Sequence, residues 1–207
     1  MNPKALRALS SADPIMADLI ARVGPMKLEP RRLTPYQSLV RSIIYQQLSG
    51  KAAETILGRF CALFPDCEFP SPDHLIQSPP ERLRSAGLSG AKTRYVQGLA
   101  ERAKAGMVPA IEDCDALTDQ EIIEKLTEIK GIGRWTVEML LIFNLGRPDV
   151  LPVGDLGVRR GFQLAYGKRK MPEEAQLARY GERWRPHRTV AAWYLWRAVD
   201  LHREKRP

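Results

Sequence analysis

A Gly-Ile-Gly turn between two helix-forming segments constrains this chain more than any other feature of its sequence. Gly131 and Gly133 allow a hairpin tight enough for backbone N–H groups to point outward where the second helix, 134–144, begins. Because the positive end of the helix dipole lies at that point, such a helix start attracts a phosphate group. Helical hairpins of this kind also occur without any ligand, so the turn alone leaves both interpretations open.

Apolar residues recur at helical spacing along the chain and predict an all-α protein of about ten helices. A helix is predicted from Asp13 to Val23, with Asp13 as its cap, and another begins after Thr34. Ser49-Gly50 should separate that second helix from the next one. The last helix is predicted over 188–203, where the aromatic residues of the sequence AWYLW are expected to pack it against the core.

The basic character of the chain makes nucleic acid a leading candidate partner. Its 207 residues carry a formal net charge of +8, and the isoelectric point is about 9.6. Basic composition alone is weak evidence, since many soluble proteins are basic. Apolar runs fall short of the roughly 20 residues that a membrane span needs, and the N-terminus lacks the apolar core of a signal peptide. We therefore expect a cytoplasmic protein without a membrane partner, associated with the nucleoid if the source is bacterial.

The cysteines and histidines argue against several classes of metal site. Three cysteines contain no Cys-x-x-Cys pair, which disfavours a disulfide framework, a zinc ribbon and an iron–sulfur cluster. Three histidines are scattered without the spacing of metal ligands. A transition-metal enzyme is therefore not expected.

One carboxylate, Asp155, follows the hairpin helix within the sequence Val-Gly-Asp-Leu-Gly. An isolated Asp at the start of a predicted helix is most often only an N-cap. In a basic protein, close in sequence to a predicted phosphate site, the same carboxylate is also a candidate for catalysis.

Four segments of the chain together resemble the helix–hairpin–helix DNA glycosylase superfamily. LTEIKGIGRWTVEM followed by LPVGDLGVRR is similar to that family's hairpin, helix and loop ending in an aspartate. IIYQQLSGKAA upstream and WRPHRTVAAWYLWR downstream are similar to its 3-methyladenine DNA glycosylase II branch, which acts on alkylated bases. The four segments occur in the family's order across residues 35 to 200, which is far more specific than a single Gly-Ile-Gly turn.

The resemblance implies a two-lobed helical protein with a cleft between the lobes. Residues 36–145 are expected to form a helical barrel that ends in the helix–hairpin–helix motif. Residues 1–35 together with 146–207 are expected to form the second lobe, which carries the Asp155 loop. The cysteines of the iron–sulfur branch are missing, so the resemblance implies no cluster.

The resemblance also implies the roles of two residues. Asp155 would face the sugar of an extruded nucleotide, stabilise the positive charge that develops as the N-glycosidic bond breaks, and orient or deprotonate the attacking water. Lyase-competent relatives hold a nucleophilic lysine at the position that matches Trp135, and its absence here implies a monofunctional enzyme. Trp135, with Tyr45 and Met139, would line the base pocket, where an indole attracts a cationic alkylated purine. Trp135 as a core aromatic is the alternative.

Further residues are assigned to DNA contacts by the same resemblance. Gln47 or Leu48 would fill the gap left by the flipped base, although ordinary helix-end packing explains them equally well. The residues expected to bind DNA phosphates are Lys130, Gly131, Gly133, Arg134, Thr136 and Arg159. Backbone carbonyls of Thr127, Ile129 and Ile132 are expected to hold a structural monovalent cation, Na+ or K+, and no other cofactor is required.

The sequence therefore predicts a monomeric DNA glycosylase that hydrolyses alkylated purines, N3-methyladenine and related bases, from double-stranded DNA and leaves an abasic site. Two alternatives remain at this point. A glycosylase for a different damaged base would keep Asp155 and change the pocket. A non-catalytic helix–hairpin–helix DNA-binding module would keep the glycines and the basic residues only.

Overall fold

The computed structural model describes residues 3–31 and 33–204 and confirms the all-α class. Thirteen α-helices, one 3-10 turn and no strand occur in these residues. None of the described helices is long and apolar enough to cross a membrane. The helices are α1 Pro3–Ala12, α2 Pro14–Val23, α3 Pro35–Tyr45, α4 Gly50–Ala62, α5 Pro72–Gln77, α6 Pro80–Ser85, α7 Gly90–Lys104, α8 Ile111–Cys114, α9 Asp119–Thr127, α10 Arg134–Phe143, α11 Leu156–Ala165, α12 Glu174–Gly181 and α13 Arg188–Glu204, with the 3-10 turn Glu182–Trp184 before α13.

Backbone contacts divide the chain into two compact units. One unit combines Met1–Pro30 with Leu141–Pro207, and the other is Arg31–Leu140. The unit boundaries lie at 31 and 140, whereas the sequence places them at 36 and 145. The predicted cleft between the lobes stays a prediction.

Three helices of the unit 31–140, α3, α4 and α7, begin at side chains that cap them. Thr34 accepts from the N–H of Gln37 while the Gln37 amide oxygen accepts from the N–H of Thr34, which completes a capping box. Ser49 and Ser89 cap α4 and α7 without a capping box. Each serine side chain accepts one hydrogen bond from a backbone N–H in the first turn of its helix. Buried apolar side chains of α3, at helical spacing, then pack this helix against α4 and α7.

The other unit is organised around the crossing of α11 and α13. A Cβ atom at Gly161 would lie 1.9 Å from the carbonyl oxygen of Leu195, so only glycine lets the two helices approach this closely. Asp13 anchors α2 to the same core, because its buried carboxylate accepts from the Tyr166 hydroxyl at 2.6 Å and the Trp184 indole N–H at 3.0 Å. These two bonds add to its capping of α2.

Two helices were not expected from the sequence. The described chain is already helical from Pro3, and α8 is a single turn in a segment for which no helix was predicted. Only Ala5 and Leu9 of α1 are buried, and two apolar contacts make a weak periodic signal in a ten-residue helix.

Candidate functional site

The predicted hairpin lies between α9 and α10 in the unit 31–140. Two short-range hydrogen bonds close the turn, from Ile129 N to Leu126 O at 3.2 Å and from Ile132 N to Ile129 O at 3.0 Å. Ile132 is buried, so it pins the turn to the core. The N–H of Val137 donates to Gly133 O at 3.2 Å, which makes Gly133 the residue that precedes the first turn of α10.

The two hairpin glycines differ in whether the structure would accept a side chain at their position. Gly131 has a φ of 94°, and a Cβ atom there would lie 2.7 Å from Cγ of Tyr95, so both the backbone and the space require glycine. A Cβ atom at Gly133 would meet nothing within 4 Å, and its φ is not in the left-handed region. Gly133 is exposed, so the open space above it is available to a ligand.

The predicted phosphate-binding side chains of the hairpin differ in accessibility. Lys130 is exposed, as is Arg134, whose Nε donates to Glu138 Oε1 at 3.0 Å. A guanidinium has five N–H donors, so this ion pair leaves Arg134 with donors for a second acceptor. Thr136 is only 5% exposed, so it offers little accessible surface for the predicted phosphate contact.

Trp135 and Met139 lie one turn apart on α10 and therefore share a face of that helix. Trp135 is 49% exposed, so its indole is not a buried core aromatic. Tyr45, the third predicted pocket residue, ends α3, where its hydroxyl donates to Glu54 and accepts from Arg41 Nη2 at 3.2 Å. Burial raises the pKa of Tyr45, and the hydrogen bond to Glu54 adds to the rise.

The segment Gln46–Ser49 joins α3 to α4, and we call it the wedge turn because it holds both predicted wedge residues. Gln47 has a φ of 59°, in the left-handed region, and Leu48 is 38% exposed. Gln46 Nε2 donates to Gly131 O at 3.0 Å, which ties the wedge turn directly to the hairpin. Lys92 of α7 contacts the same turn. Sequence reasoning singled out neither Lys92 nor the role of Gln46.

Asp155 caps α11 in the other unit, and its Oδ1 accepts two hydrogen bonds. One comes from the N–H of Val158 at 2.7 Å and the other from the indole N–H of Trp196 at 2.8 Å. Asp155 is therefore the N-cap that its position suggested, and its carboxylate is also held by a side chain from α13. The Trp196 indole is itself fixed by stacking on Phe143, with ring centroids 5.6 Å apart.

Trp196 is the residue that sequence reasoning missed at this site, since it was expected only to pack the last helix. A signal existed, because a partly buried indole N–H usually finds an acceptor. Gly157 is part of the same arrangement. A Cβ atom there would lie 2.9 Å from Trp196 Cδ1 and 3.1 Å from Asp155 Oδ1. The missing side chain at Gly157 lets the indole reach the carboxylate.

Arg159, the predicted phosphate contact on α11, has a structural contact in the same unit. Its Nε donates to Pro172 O at 3.0 Å, and Nη2 lies 4.0 Å from Glu173 Oε2. Its side chain is mostly buried. The exposed basic residues in this region are instead those of the loop after α11, 168–170, which the sequence analysis did not single out.

The carbonyls predicted to hold a monovalent cation lie at the end of α9 and in the hairpin. Ile129 O already accepts from Ile132 N, and a carbonyl oxygen has a second lone pair for a cation. Thr127 donates its hydroxyl to Ile123 O at 2.7 Å, so its side chain is used within the helix. Backbone oxygens suit a hard monovalent ion. The cation site itself stays a prediction. No group of three or more His, Cys, Asp or Glu side chains able to hold a metal occurs in the described residues.

Comparison with known proteins places these features in a family. Residues 40–186 match the model of the HhH-GPD superfamily base excision DNA repair protein family. DNA-3-methyladenine glycosylase 1 of Schizosaccharomyces pombe is 38% identical over 96% of this chain and 88% of that protein. The alkylbase DNA glycosidase-like protein mag2 of the same yeast is 34% identical over 97% and 95%.

Solved structures agree with this assignment. The 3-methyladenine DNA glycosylase of S. pombe, in complex with abasic DNA, has a TM-score of 0.85 and 39% identity over 94% of this chain and 95% of that chain. The DNA-3-methyladenine glycosidase of Bacillus halodurans has a TM-score of 0.88 and 38% identity over 99% and 92%. The resemblance inferred from the four sequence segments is confirmed, and the chain belongs to the HhH-GPD superfamily of base excision DNA repair proteins.

Proposed function

We propose that this protein is a monofunctional DNA glycosylase that hydrolyses the N-glycosidic bond of alkylated purines in duplex DNA, N3-methyladenine and related bases among them. The product is an abasic site. Support comes from DNA-3-methyladenine glycosylase 1 of S. pombe, which aligns over 96% of this chain. The observation that carries the proposal is the carboxylate of Asp155, which two hydrogen bonds hold at the start of α11.

A fixed carboxylate suits the chemistry of this reaction. When the N-glycosidic bond breaks, positive charge develops on the deoxyribose, and a negative group already in place stabilises it without reorganising. Asp155 is proposed to supply that charge and to orient the attacking water. An alkylated purine that carries a positive charge is a good leaving group, so the reaction does not depend on a strong general acid.

Water, rather than an amine, is the proposed nucleophile. Trp135 occupies the position at which lyase-competent relatives hold a lysine, and no lysine occurs from Gly133 to Thr136. The half-exposed indole of Trp135 is proposed to stack on the extruded base, where its π-face attracts a cationic ring. Met139, on the same face of α10, adds an adaptable apolar contact.

Double-stranded DNA that contains a damaged base is the proposed partner, bound by a monomer. The net charge of +8 favours association with the phosphate backbone. Gly133 and Arg134 at the start of α10 offer an exposed N-terminal helix end and a cation for one phosphate. No divalent metal or redox cofactor takes part in this mechanism.

The test is release of free base from duplex DNA treated with a methylating agent, measured by chromatography in a buffer with a metal chelator. The wild type should release N3-methyladenine, and Asp155→Asn should not, although Asn still caps a helix. Asp18→Asn is the matched control, since Asp18 is exposed on α2 and pairs only with Arg22 among its described contacts.

Two results would contradict parts of this proposal. Release by Asp155→Asn at the wild-type rate would remove Asp155 from the catalytic role. A wild type that binds DNA without releasing any methylated base would indicate either a glycosylase for another lesion or a DNA-binding module. Duplexes that contain uracil, hypoxanthine or 8-oxoguanine then separate these two alternatives.

A further inference from the structure

We propose that Lys92 is a positioning residue, which locks the wedge turn onto the hairpin so that the turn meets duplex DNA already in its inserting shape. This inference rests on the proposed function, because a wedge is needed only where a base is extruded. Lys92 does not contact DNA in this scheme. It acts through the backbone of the wedge turn.

Lys92 is hydrogen-bonded to the end of α3 and to the first residue of the wedge turn. Its Nζ donates to the carbonyl oxygens of Ile44 and Gln46, each at 2.7 Å. The last carbonyls of a helix have no donor within the helix, and a cation there also meets the negative end of the helix dipole. Partial burial lowers the pKa of Lys92.

A second connection joins the wedge turn to the hairpin. Gln46 donates through Nε2 to the carbonyl of Gly131, so the residue whose own carbonyl Lys92 holds also reaches the hairpin. The backbone of Gly131 lies against the ring of Tyr95, close enough that no Cβ atom fits between them. Lys92 and Tyr95 are three residues apart on α7 and therefore share a face of that helix. One face of α7 thus supports both the wedge turn and the hairpin.

The conformation of the wedge turn needs such support. A left-handed glutamine such as Gln47 is unfavourable and persists where its surroundings determine it. Gln46 on one side is bound by Lys92 and Gly131, and Ser49 on the other caps α4 through the N–H of Ala52 at 3.4 Å. Between these fixed points Gln47 and Leu48 are exposed. A rigid turn with an exposed apolar tip is suited to fill a gap in stacked bases.

The experiment uses a duplex with one stable abasic-site analogue opposite 2-aminopurine, whose fluorescence changes when its stacking changes. We compare the wild type, Lys92→Met and Lys104→Met. Lys104, at the exposed end of the same helix, pairs with Asp73, so its replacement removes the same charge without touching the wedge turn. Affinity for the abasic duplex and for an undamaged duplex is measured in parallel at one salt concentration.

The wild type and Lys104→Met should show the fluorescence change and prefer the abasic duplex. Lys92→Met should lose the fluorescence change and lower the ratio of the two affinities by at least about tenfold, because both charge-assisted hydrogen bonds of Lys92 to the backbone are lost. Its affinity for undamaged DNA should equal that of Lys104→Met. An unchanged ratio in a folded Lys92→Met protein would overturn the proposal, as would a wild type that leaves 2-aminopurine undisturbed.

A second variant covers the case in which Lys92→Met does not fold. Gln46→Ala leaves α7 intact and removes only the hydrogen bond to Gly131, and it should lower the same ratio. A folded Gln46→Ala protein with the wild-type ratio would refute the role of this connection. Base release from methylated DNA decides the proposed function separately, since the fluorescence readout requires no bond cleavage.

Discussion

Gly157→Ala tests the arrangement of Asp155 and Trp196 without removing either functional group. The new Cβ atom would lie 2.9 Å from Trp196 Cδ1 and 3.1 Å from its Nε1, whereas ordinary contacts are 3.4–4 Å. The indole must therefore retreat, and its 2.8 Å hydrogen bond to Asp155 must lengthen beyond the usual range. Helix α11 itself should tolerate the change, because alanine favours a helix over glycine by about 1 kcal/mol.

The expected loss follows from that hydrogen bond. A bond to a charged group contributes about 1.5–3 kcal/mol, and each 1.4 kcal/mol corresponds to about tenfold in rate. If the bond holds the carboxylate in the orientation that the transition state requires, base release should fall by about 10- to 150-fold. Affinity for undamaged DNA should not change, since the added methyl group of Gly157→Ala carries no charge and the altered contact lies within the protein.

The assay is single-turnover release of base from methylated duplex, with Gly58→Ala as the matched control. Gly58 is an exposed glycine within α4, and a Cβ atom there meets nothing within 4 Å. The indole N–H resonance of Trp196 reports whether the bond has broken, and only four tryptophans need to be assigned. A resonance that moves while the rate stays at the wild-type value would refute our account of Trp196.

Two further predictions concern the hairpin and the stability of the fold. Gly133→Ala should keep the fold, since its Cβ atom meets nothing within 4 Å, but should weaken DNA binding if a phosphate approaches this backbone; unchanged affinity in a filter-binding titration would count against a phosphate there. Asp13→Ala should lower the free energy of unfolding by about 3–5 kcal/mol, because two buried donors, on Tyr166 and Trp184, and the cap of α2 lose their acceptor. Urea denaturation measures that loss, and a value as small as that of Asp18→Ala would contradict it.

Helix starts and the hairpin were predictable because their causes are local. Thr34 and Asp13 each precede a proline and a run of helical spacing, and the structure begins helices after both. The hairpin depends on two glycines separated by a single residue. It can therefore be recognised without knowing any residue that is distant in the sequence. Even so, the sequence treated Gly131 and Gly133 alike, whereas the structure distinguishes them by the left-handed φ of Gly131 and by the ring of Tyr95 beside it.

The remainder of the candidate site depends on contacts that are remote in sequence. Trp196 bonds to a carboxylate 41 residues earlier, and helical periodicity predicts only that an aromatic residue in α13 is buried. Lys92 shows the same limit. A lysine in an amphipathic helix is normally assigned to the solvent, and nothing near it in the sequence indicates that Ile44 O and Gln46 O, 48 and 46 residues away, are its acceptors.

The crossing of α11 and α13 at Gly161 also bears on how this protein can evolve. Asp155 heads α11, and Trp196 follows Leu195, the residue whose carbonyl excludes any side chain at Gly161. A substitution at that crossing would separate the two helices and disturb the carboxylate whatever base is bound. Trp135 on α10, which is 49% exposed, does not lie at this crossing. If α10 contacts the extruded base as proposed, new lesion preferences should arise by changes on α10, while the crossing stays unchanged.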